Sequence, residues 1–201
     1  MIIKLSPSSP LSRDSTLQVV KAGEALSVNG VLFDFTNLSP GATLPAAAIA
    51  SDCFDGPVTR VDGEVVVQLY LPYWADSTEQ ARFPVDIHQP ADGPVRLPGL
   101  ELGDPSTPST GVIDWSQVIT DEMKRAQVAE QLLAAVQADH AQRRAVADSA
   151  IAPLQDAVDI DEATAEEEAR LKLWKRYRVA LIRLPEQSGY PSAIDWPAPP
   201  S

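Results

Sequence analysis

The side chains best suited to chemistry in this chain of 201 residues are one cysteine, two histidines and many carboxylates. Cys53 has no second cysteine with which to form a disulfide, and His88 and His140 lie far from it in sequence. Neither histidine belongs to an HExxH, H-x-E or Cys-x-x-Cys pattern, and no serine stands in a G-x-S-x-G pattern. The sequence therefore predicts no catalytic residue, no metal site and no cofactor.

The carboxylates are most concentrated between residues 156 and 168, where seven acids occur without a base. Glu166, Glu167 and Glu168 are consecutive, so on a helix they point in different directions and cannot converge as an acid–base pair. A solvated acidic helix start explains them better than hydrolytic chemistry does. We therefore expect the chain not to be an enzyme.

Aromatic and basic side chains share a predicted helix that ends at Leu184. Trp174, Tyr177 and Leu181 are spaced by three and four residues, which places them on one helix face. Most of the remaining surface is basic: Lys172, Lys175, Arg176, Arg178 and Arg183. An aromatic stripe at this spacing usually belongs to a core. The alternative is a protein-contact surface, because Trp, Tyr and Arg often dominate interface energy.

The boundaries of this helix follow from its flanking residues. Asp159 or Asp161 is expected to cap its start, and Pro185 is expected to end it because proline cannot continue the hydrogen-bond ladder. The helix then begins acidic and ends basic, an order that complements the helix macrodipole.

A short tail follows the helix. Residues 189–191 form a predicted turn, and Ile194 and Trp196 lie two residues apart on one side of an extended segment. Two interpretations of Trp196 stay open. It packs with Trp174 to fix the tail, or it contacts another protein.

Three stretches in the last quarter of the chain resemble one known family. They are IAPLQDAVDIDEAT at Ile151–Thr164, EEEARLKLWKRYRVAL at Glu166–Leu181, and IDWP at Ile194–Pro197. Their order is similar to that in the tail-fibre assembly proteins, or tail-fibre chaperones, of tailed bacteriophages, prophages and phage-tail-like (pyocin-like) bacteriocins. The resemblance implies a non-enzymatic protein that binds the distal C-terminal region of a tail-fibre protein and helps it fold, trimerise and join the tail.

This resemblance gives the partner-binding residues a specific expectation. The contact set, or its immediate scaffold, is expected to be Trp174, Tyr177, Arg178, Leu181 and Trp196. The expected location is the host bacterial cytoplasm. The alternative function is a structural adaptor that stays on the virion or tail particle, and a regulatory or toxin–antitoxin-type module has only the acidic charge in its favour.

Charge and hydropathy exclude two other kinds of partner. The net charge is −12, which disfavours binding to nucleic acid because that requires a basic surface. The start of the chain lacks the apolar stretch of a signal peptide, and no window of 18 apolar residues exists, so we expect no membrane span.

The pattern along the chain predicts an α+β fold. Residues 1–103 read as a small β-rich domain with hairpins at Asn29-Gly30 and Asp62-Gly63. Residues 83–88 and 95–97 are expected to form edge strands, since prolines surround them. Residues 104–113 form a predicted linker.

A long helix is expected next, over 114–150, with Asp114 as its cap and Pro153 as its breaker. Its apolar seam has coiled-coil-like spacing: Trp115, Ile119, Ala126, Ala129, Leu133, Val136 and His140. Such a seam must be covered by the helix of the C-terminal part (151–201), by a second copy or by the client fibre. An intramolecular helical hairpin and a homodimer through 114–150 both stay open.

Overall fold

The computed structural model describes residues 1–9, 16–100, 102 and 108–200. The chain divides into two compact units, an N-terminal unit (Met1–Lys124) and a C-terminal unit (Arg125–Ser201). Two mixed sheets and two long helices confirm the predicted α+β class. The predicted linker lies partly outside the described residues, and the four-part domain division stays a prediction.

The described residues of the N-terminal unit include ten strands and one short helix. The strands are β1 (Ile2–Ser8), β2 (Val19–Ala22), β3 (Ala25–Val28), β4 (Val31–Asp34), β5 (Thr43–Leu44), β6 (Val58–Val61), β7 (Glu64–Pro72), β8 (Ile87–His88), β9 (Gly93–Pro94) and β10 (Ser109–Thr110). The short helix α1 (Glu79–Arg82) lies between β7 and β8.

The first sheet has the order β5-β6-β7-β1-β8, and its centre is a parallel pair. Strand β1 runs parallel to β7, with Ile3 opposite Val67. Strand β8 pairs only with Ile2 and Ile3 of β1. Pro7 lies beyond that pairing, at an edge of the sheet, which is where a strand tolerates proline.

The second sheet has the order β10-β4-β3-β2-β9 and is built mainly from hairpins. The two predicted hairpins are confirmed, one between β3 and β4 here and one between β6 and β7 in the first sheet. Asn29 and Gly30 have φ of 50° and 78°, and Asp62 and Gly63 have φ of 49° and 82°. Positive φ at both central residues suits Asn-Gly and Asp-Gly and matches the strand twist.

The predicted edge strands are only partly correct. Residues 87–88 do form an edge strand, but 95–97 do not form one, and the second edge strand is β9 instead. Val95 and Leu97 are buried in the core. The Val95 amide donates to the Val19 carbonyl (2.8 Å), and the Leu97 carbonyl accepts a bond from the Leu100 amide (3.4 Å).

Side chains from both sheets form the core of the N-terminal unit. Phe54 makes edge-to-face contacts with Phe33 and Phe35, with ring centroids 5.3 and 6.1 Å apart. Such pairs contribute about 0.5–1.5 kcal/mol beyond their burial.

Arg60 is a buried cation that fixes the surrounding loops of this unit. Its guanidinium binds both carboxylate oxygens of Glu24, at 2.6 and 2.9 Å. It also donates to the carbonyl oxygens of Leu38 and Phe35. The hydrogen bonds from Arg60 hold the pKa of Glu24 below its usual value and raise the pKa of Arg60.

The long helix α2 (Asp121–Asp159) starts later than predicted. Asp114 caps only a single 3₁₀ turn, Trp115–Gln117, by accepting a bond from the Ser116 amide. The helix start is instead capped by the Thr120 hydroxyl, which accepts a bond from the Met123 amide (3.2 Å). The expected cap at Asp114 is therefore wrong.

The break expected at Pro153 is also wrong, because α2 continues through this proline to Asp159. A proline inside a helix removes one backbone hydrogen bond. Ile151, two residues before Pro153, is buried, and its packing stabilises the helix at this point. The helix therefore ends at Asp159 rather than at the predicted residue 150.

The last helix, α3 (Ala165–Ile182), has a different cap from the expected Asp159 or Asp161. Thr164 and Glu167 form a capping box, in which each side chain accepts a bond from the backbone amide of the other residue. These bonds lower the pKa of Glu167. The helix ends at Ile182 rather than Leu184, and Pro185 lies in the following 3₁₀ turn, Leu184–Glu186.

None of the helices in the described part of the chain combines the length and the apolar character that a membrane span requires.

Candidate protein-contact site

The C-terminal unit is built around a helical hairpin of α2 and α3. Its buried cluster consists of Ala147 from α2, Tyr177 and Leu181 from α3, and Leu184 from the following turn. Ala147 and Leu181 are fully buried. The small side chain at Ala147 leaves room for the larger residues of α3. The intramolecular hairpin, one of the two open alternatives, is thus formed over the C-terminal part of α2.

Polar side chains join the two helices on either side of this cluster. Nε2 of His140 donates to the carbonyl oxygen of Leu181 (3.1 Å). Arg178 pairs with Asp148 (2.9 Å), and Lys175 donates to Gln155. These contacts, spread over three turns or more of α2, fix the register of α3 against it.

The tail returns to the same cluster. Ile194 and Trp196 are half-buried against it, as is Trp174. The guanidinium carbon of Arg143 lies 4.5 Å from the ring centroid of Trp196, a cation–π geometry. The side chain of Gln187 bonds both the amide and the carbonyl of Asp195, each at 2.9 Å.

Arg143 connects the tail to α2. Its guanidinium donates to Asp139 (3.0 Å), and this bond is the main cause of its raised pKa, with a smaller contribution from Tyr177. The charge that faces Trp196 is therefore held in place by a second partner. A fixed cation loses less side-chain entropy when it contacts an aromatic ring.

The structure brings all five predicted partner residues around one cluster. Tyr177 and Leu181 are buried within it, and the rings of Trp174 and Tyr177 meet edge to face at 5.8 Å. Trp174, Arg178 and Trp196 remain half-exposed. Tyr177 and Leu181 therefore occupy scaffold positions, whereas the other three present part of their surface.

The opposite side of α3 carries three of the basic residues that the sequence predicted on the remaining helix surface. We define the outer face of α3 as Lys172, Arg176, Val179 and Arg183, all exposed. Their spacing of four, three and four residues puts them on one side of the helix. The sequence also contains this spacing, but the predicted partner-binding residues were chosen on the aromatic side of the helix.

The residues of the predicted coiled-coil seam lie in two different parts of the structure. Trp115 and Ile119 precede α2, and Trp115 packs on the core of the N-terminal unit, so the start of the predicted seam is wrong. Within α2, the seam residues Ala126 and Ala129 are exposed, whereas Leu133, Val136 and His140 are half-buried. The homodimer through this helix stays a prediction.

Among the residues that the structure describes, no group of three or more His, Cys, Asp or Glu side chains is close enough to hold a metal ion. Cys53 is a half-buried free thiol whose sulfur accepts a long bond from the Asn29 side chain (3.5 Å).

The fold and the helical hairpin define an α+β protein with a helical C-terminal unit, and comparison with known proteins gives its family. The family profile described as "Caudovirales tail fibre assembly protein, lambda gpK" matches residues 91–201, more than half of the chain. The chain belongs to this family. No solved structure matches the chain significantly.

Individual relatives share a shorter segment. A probable tail fiber assembly protein of Acyrthosiphon pisum secondary endosymbiont phage 1 is 56% identical over 50 residues, which are 25% of this chain and 31% of that protein. The tail fiber assembly protein of Escherichia phage lambda is 53% identical over 55 residues, 27% of each chain. A probable tail fiber assembly protein of Shigella phage SfV is 36% identical over 83 residues, 41% of this chain and 37% of that protein. The matched segments thus span well under half of these relatives.

Proposed function

We propose that this protein is a non-enzymatic chaperone that binds a phage or bacteriocin tail-fibre protein in the host cytoplasm and assists its folding, trimerisation and attachment to the tail. The main support is family membership over residues 91–201, a region that includes α2, α3 and the tail. The helical hairpin of the C-terminal unit lies wholly within this region.

The physical need for such a helper follows from the client. Tail fibres are long trimers rich in β-structure, and non-local strand pairing folds slowly and leaves edges that aggregate. A helper that covers apolar surface at the distal C-terminal region of the fibre would suppress that aggregation until the trimer forms. Binding requires a surface that is rigid before the client arrives, because ordering it on contact would reduce affinity.

The five predicted residues divide into two roles in this proposal. Tyr177 and Leu181 hold α3 on α2 and are scaffold positions. Trp174, Arg178 and Trp196 are half-exposed and are the contact positions. Aromatic rings and arginine supply the most contact energy when they are held rigidly, as Trp196 is by Arg143.

Coexpression with the tail-fibre protein from the same genome tests this proposal. Wild type should increase the yield of soluble fibre trimer, and Trp174→Ala should reduce that increase while the protein still unfolds cooperatively. Phe83→Ala is the matched control, because Phe83 is an exposed aromatic residue of the N-terminal unit. An unchanged fibre yield with and without the wild-type chain would contradict the chaperone function.

Retention on the particle is the alternative outcome, as for a structural adaptor. Quantitative mass spectrometry of purified particles separates the two. A helper that leaves should be scarce relative to the fibre, whereas an adaptor should be present in a fixed ratio to it.

A further inference from the structure

We infer that the outer face of α3 is the docking surface for an acidic segment of the partner protein, one that also carries an aliphatic side chain. This inference rests on the proposed function and names the chemistry of the partner at that site. It adds a second contact to the one proposed at Trp174, Arg178 and Trp196, on the side of α3 that faces away from α2.

The first support is the use of the cations in the C-terminal unit. Several basic residues of this unit are already engaged: Arg143 with Asp139, Arg144 and Arg178 with Asp148, and Lys175 with Gln155. By contrast, among the described residues, Lys172, Arg176 and Arg183 have no side-chain hydrogen bond or ion pair. Lys172 and Arg176 are four residues apart and repel one another mildly, so an acidic partner would relieve an unfavourable arrangement.

The second support is an open cleft of about 680 Å³ at the C-terminal end of this face. Val179 and Ala180 contribute apolar surface to its lining, and Arg176 and Arg183 contribute cations. Val179 is 44% exposed, and its neighbour Ile182 is 52% exposed. Apolar surface beside cations suits a segment in which carboxylates flank an aliphatic residue, because both kinds of contact then form together.

One carboxylate also lines the cleft. Glu186, from the 3₁₀ turn after α3, belongs to its lining. It would repel carboxylates of the partner that approach the turn, so the acidic groups are expected nearer Lys172 and Arg176. The surface therefore favours one direction of the bound segment over the reverse.

A second copy of this chain fits the outer face poorly. A two-fold interface of antiparallel α3 helices centred on this face would place Lys172 of one copy opposite Arg183 of the other, and these like charges would repel. Nucleic acid fits poorly as well, since a net charge of −12 opposes the approach of a phosphate backbone. A short acidic protein segment interacts mainly with side chains within a Debye length of about 8–10 Å. At that range it contacts the cations of the outer face.

The test uses the full chain and a charge-reversal pair. The double variant Arg176→Glu/Arg183→Glu reverses two cations that line the cleft and leaves Lys175, which is bonded to Gln155, unchanged. The control Lys4→Glu/Arg96→Glu changes the net charge equally, at exposed residues of the N-terminal unit. The probe is a fluorescein-labelled peptide rich in glutamate and leucine, with a twin in which glutamine replaces every glutamate. Binding is followed by fluorescence anisotropy at low and at physiological salt.

Wild type and the control should bind the acidic peptide, and the cleft variant should bind it at least about tenfold more weakly. The glutamine twin should bind all three proteins weakly. Equal binding of the acidic peptide by the cleft variant and wild type would overturn the inference. So would tighter binding of a single-stranded DNA oligonucleotide than of the peptide, or a wild-type dimer in sedimentation that the cleft variant loses.

Coexpression with the fibre separates this inference from the proposed function. If wild type increases soluble fibre and the cleft variant does so equally, the docking surface is wrong and the chaperone function stands. If wild type binds the acidic peptide through the cleft yet leaves fibre yield unchanged, the surface stands and the chaperone function is wrong. Loss of fibre yield with the cleft variant alone supports both.

Discussion

Nε2 of His140 donates a hydrogen bond to the main-chain carbonyl oxygen of Leu181, 3.1 Å away. The carbonyl lies in the last turn of α3, where helix carbonyls lack intrahelical donors. The bond therefore joins the two helices at the C-terminal end of α3. A histidine on the predicted seam of α2 thus serves the intramolecular hairpin.

The buried cluster should depend strongly on Leu181. Leu181→Ala removes a side chain with no exposed surface and should lower the free energy of unfolding of the C-terminal unit by about 2–5 kcal/mol. Denaturant unfolding followed by circular dichroism at helix wavelengths measures this. Ile182→Ala, at the exposed neighbouring position, is the matched control and should cost far less. Equal losses in the two variants would contradict the packing described.

The contact between Arg143 and Trp196 should show a measurable coupling. A double-mutant cycle of Arg143→Ala and Trp196→Ala should give a coupling energy of about 0.5–1 kcal/mol, the range for a partly exposed cation–π pair. Chemical denaturation of the four proteins provides the values. Additive single effects would show that the tail is held by burial alone.

Arg60 should be the most sensitive charged residue of the N-terminal unit. Arg60→Ala removes the donor to the carbonyl oxygen of Leu38 and the partner of Glu24 and should destabilise this unit by about 2–4 kcal/mol. Arg96→Ala, at an exposed arginine, is the control and should stay within about 0.5 kcal/mol of wild type. Thermal unfolding monitored by near-ultraviolet circular dichroism reports on the phenylalanine-rich core.

Acid should weaken the same unit through Glu24. Its folded-state pKa is lowered from the ordinary 4.5, chiefly by the hydrogen bonds from Arg60. The unfolded chain therefore binds a proton at higher pH than the folded chain does, and the stabilisation present above pH 4.5 is lost as pH falls through the lowered pKa. Glu24→Gln should flatten this part of the stability–pH curve. A variant curve parallel to that of wild type would rule out this source of acid sensitivity.

Pro153 offers a test of the continuous helix α2. Pro153→Ala should stabilise the C-terminal unit by about 1–3 kcal/mol, because it restores a main-chain donor and removes a clash inside the helix. Part of the gain is offset by the greater freedom of alanine in the unfolded chain. A loss of stability in denaturant unfolding would show that the proline is needed where it stands.

Local signals in the sequence were sufficient for much of the fold. Asn29-Gly30 and Asp62-Gly63 predicted two hairpins correctly, because a type I′ turn requires residues that accept positive φ. Trp174, Tyr177 and Leu181 correctly marked one side of a helix. These are properties of short segments, which neighbouring residues alone determine.

The failures share a different physical origin. Asp114 has the residue type of a helix cap, but Ile119 pairs with Thr43 in an extended bridge, so the helix starts only after it and Thr120 is the cap. Pro153 has the residue type of a helix breaker, but the packing of α2 on α3 outweighs one lost hydrogen bond. The sequence also could not show which side of α3 faces α2, since aromatic and basic faces both suit a protein contact.

The parallel pairing of β1 with β7 has a consequence for synthesis. Ile3 is synthesised well before its ladder partner Val67. In the nascent chain, β1 therefore has no pairing strand β7 during this interval. The interval is bounded by translation, at about 5–20 residues per second. Until β1 pairs with β7, the nascent protein exposes an unpaired strand and is itself prone to aggregate.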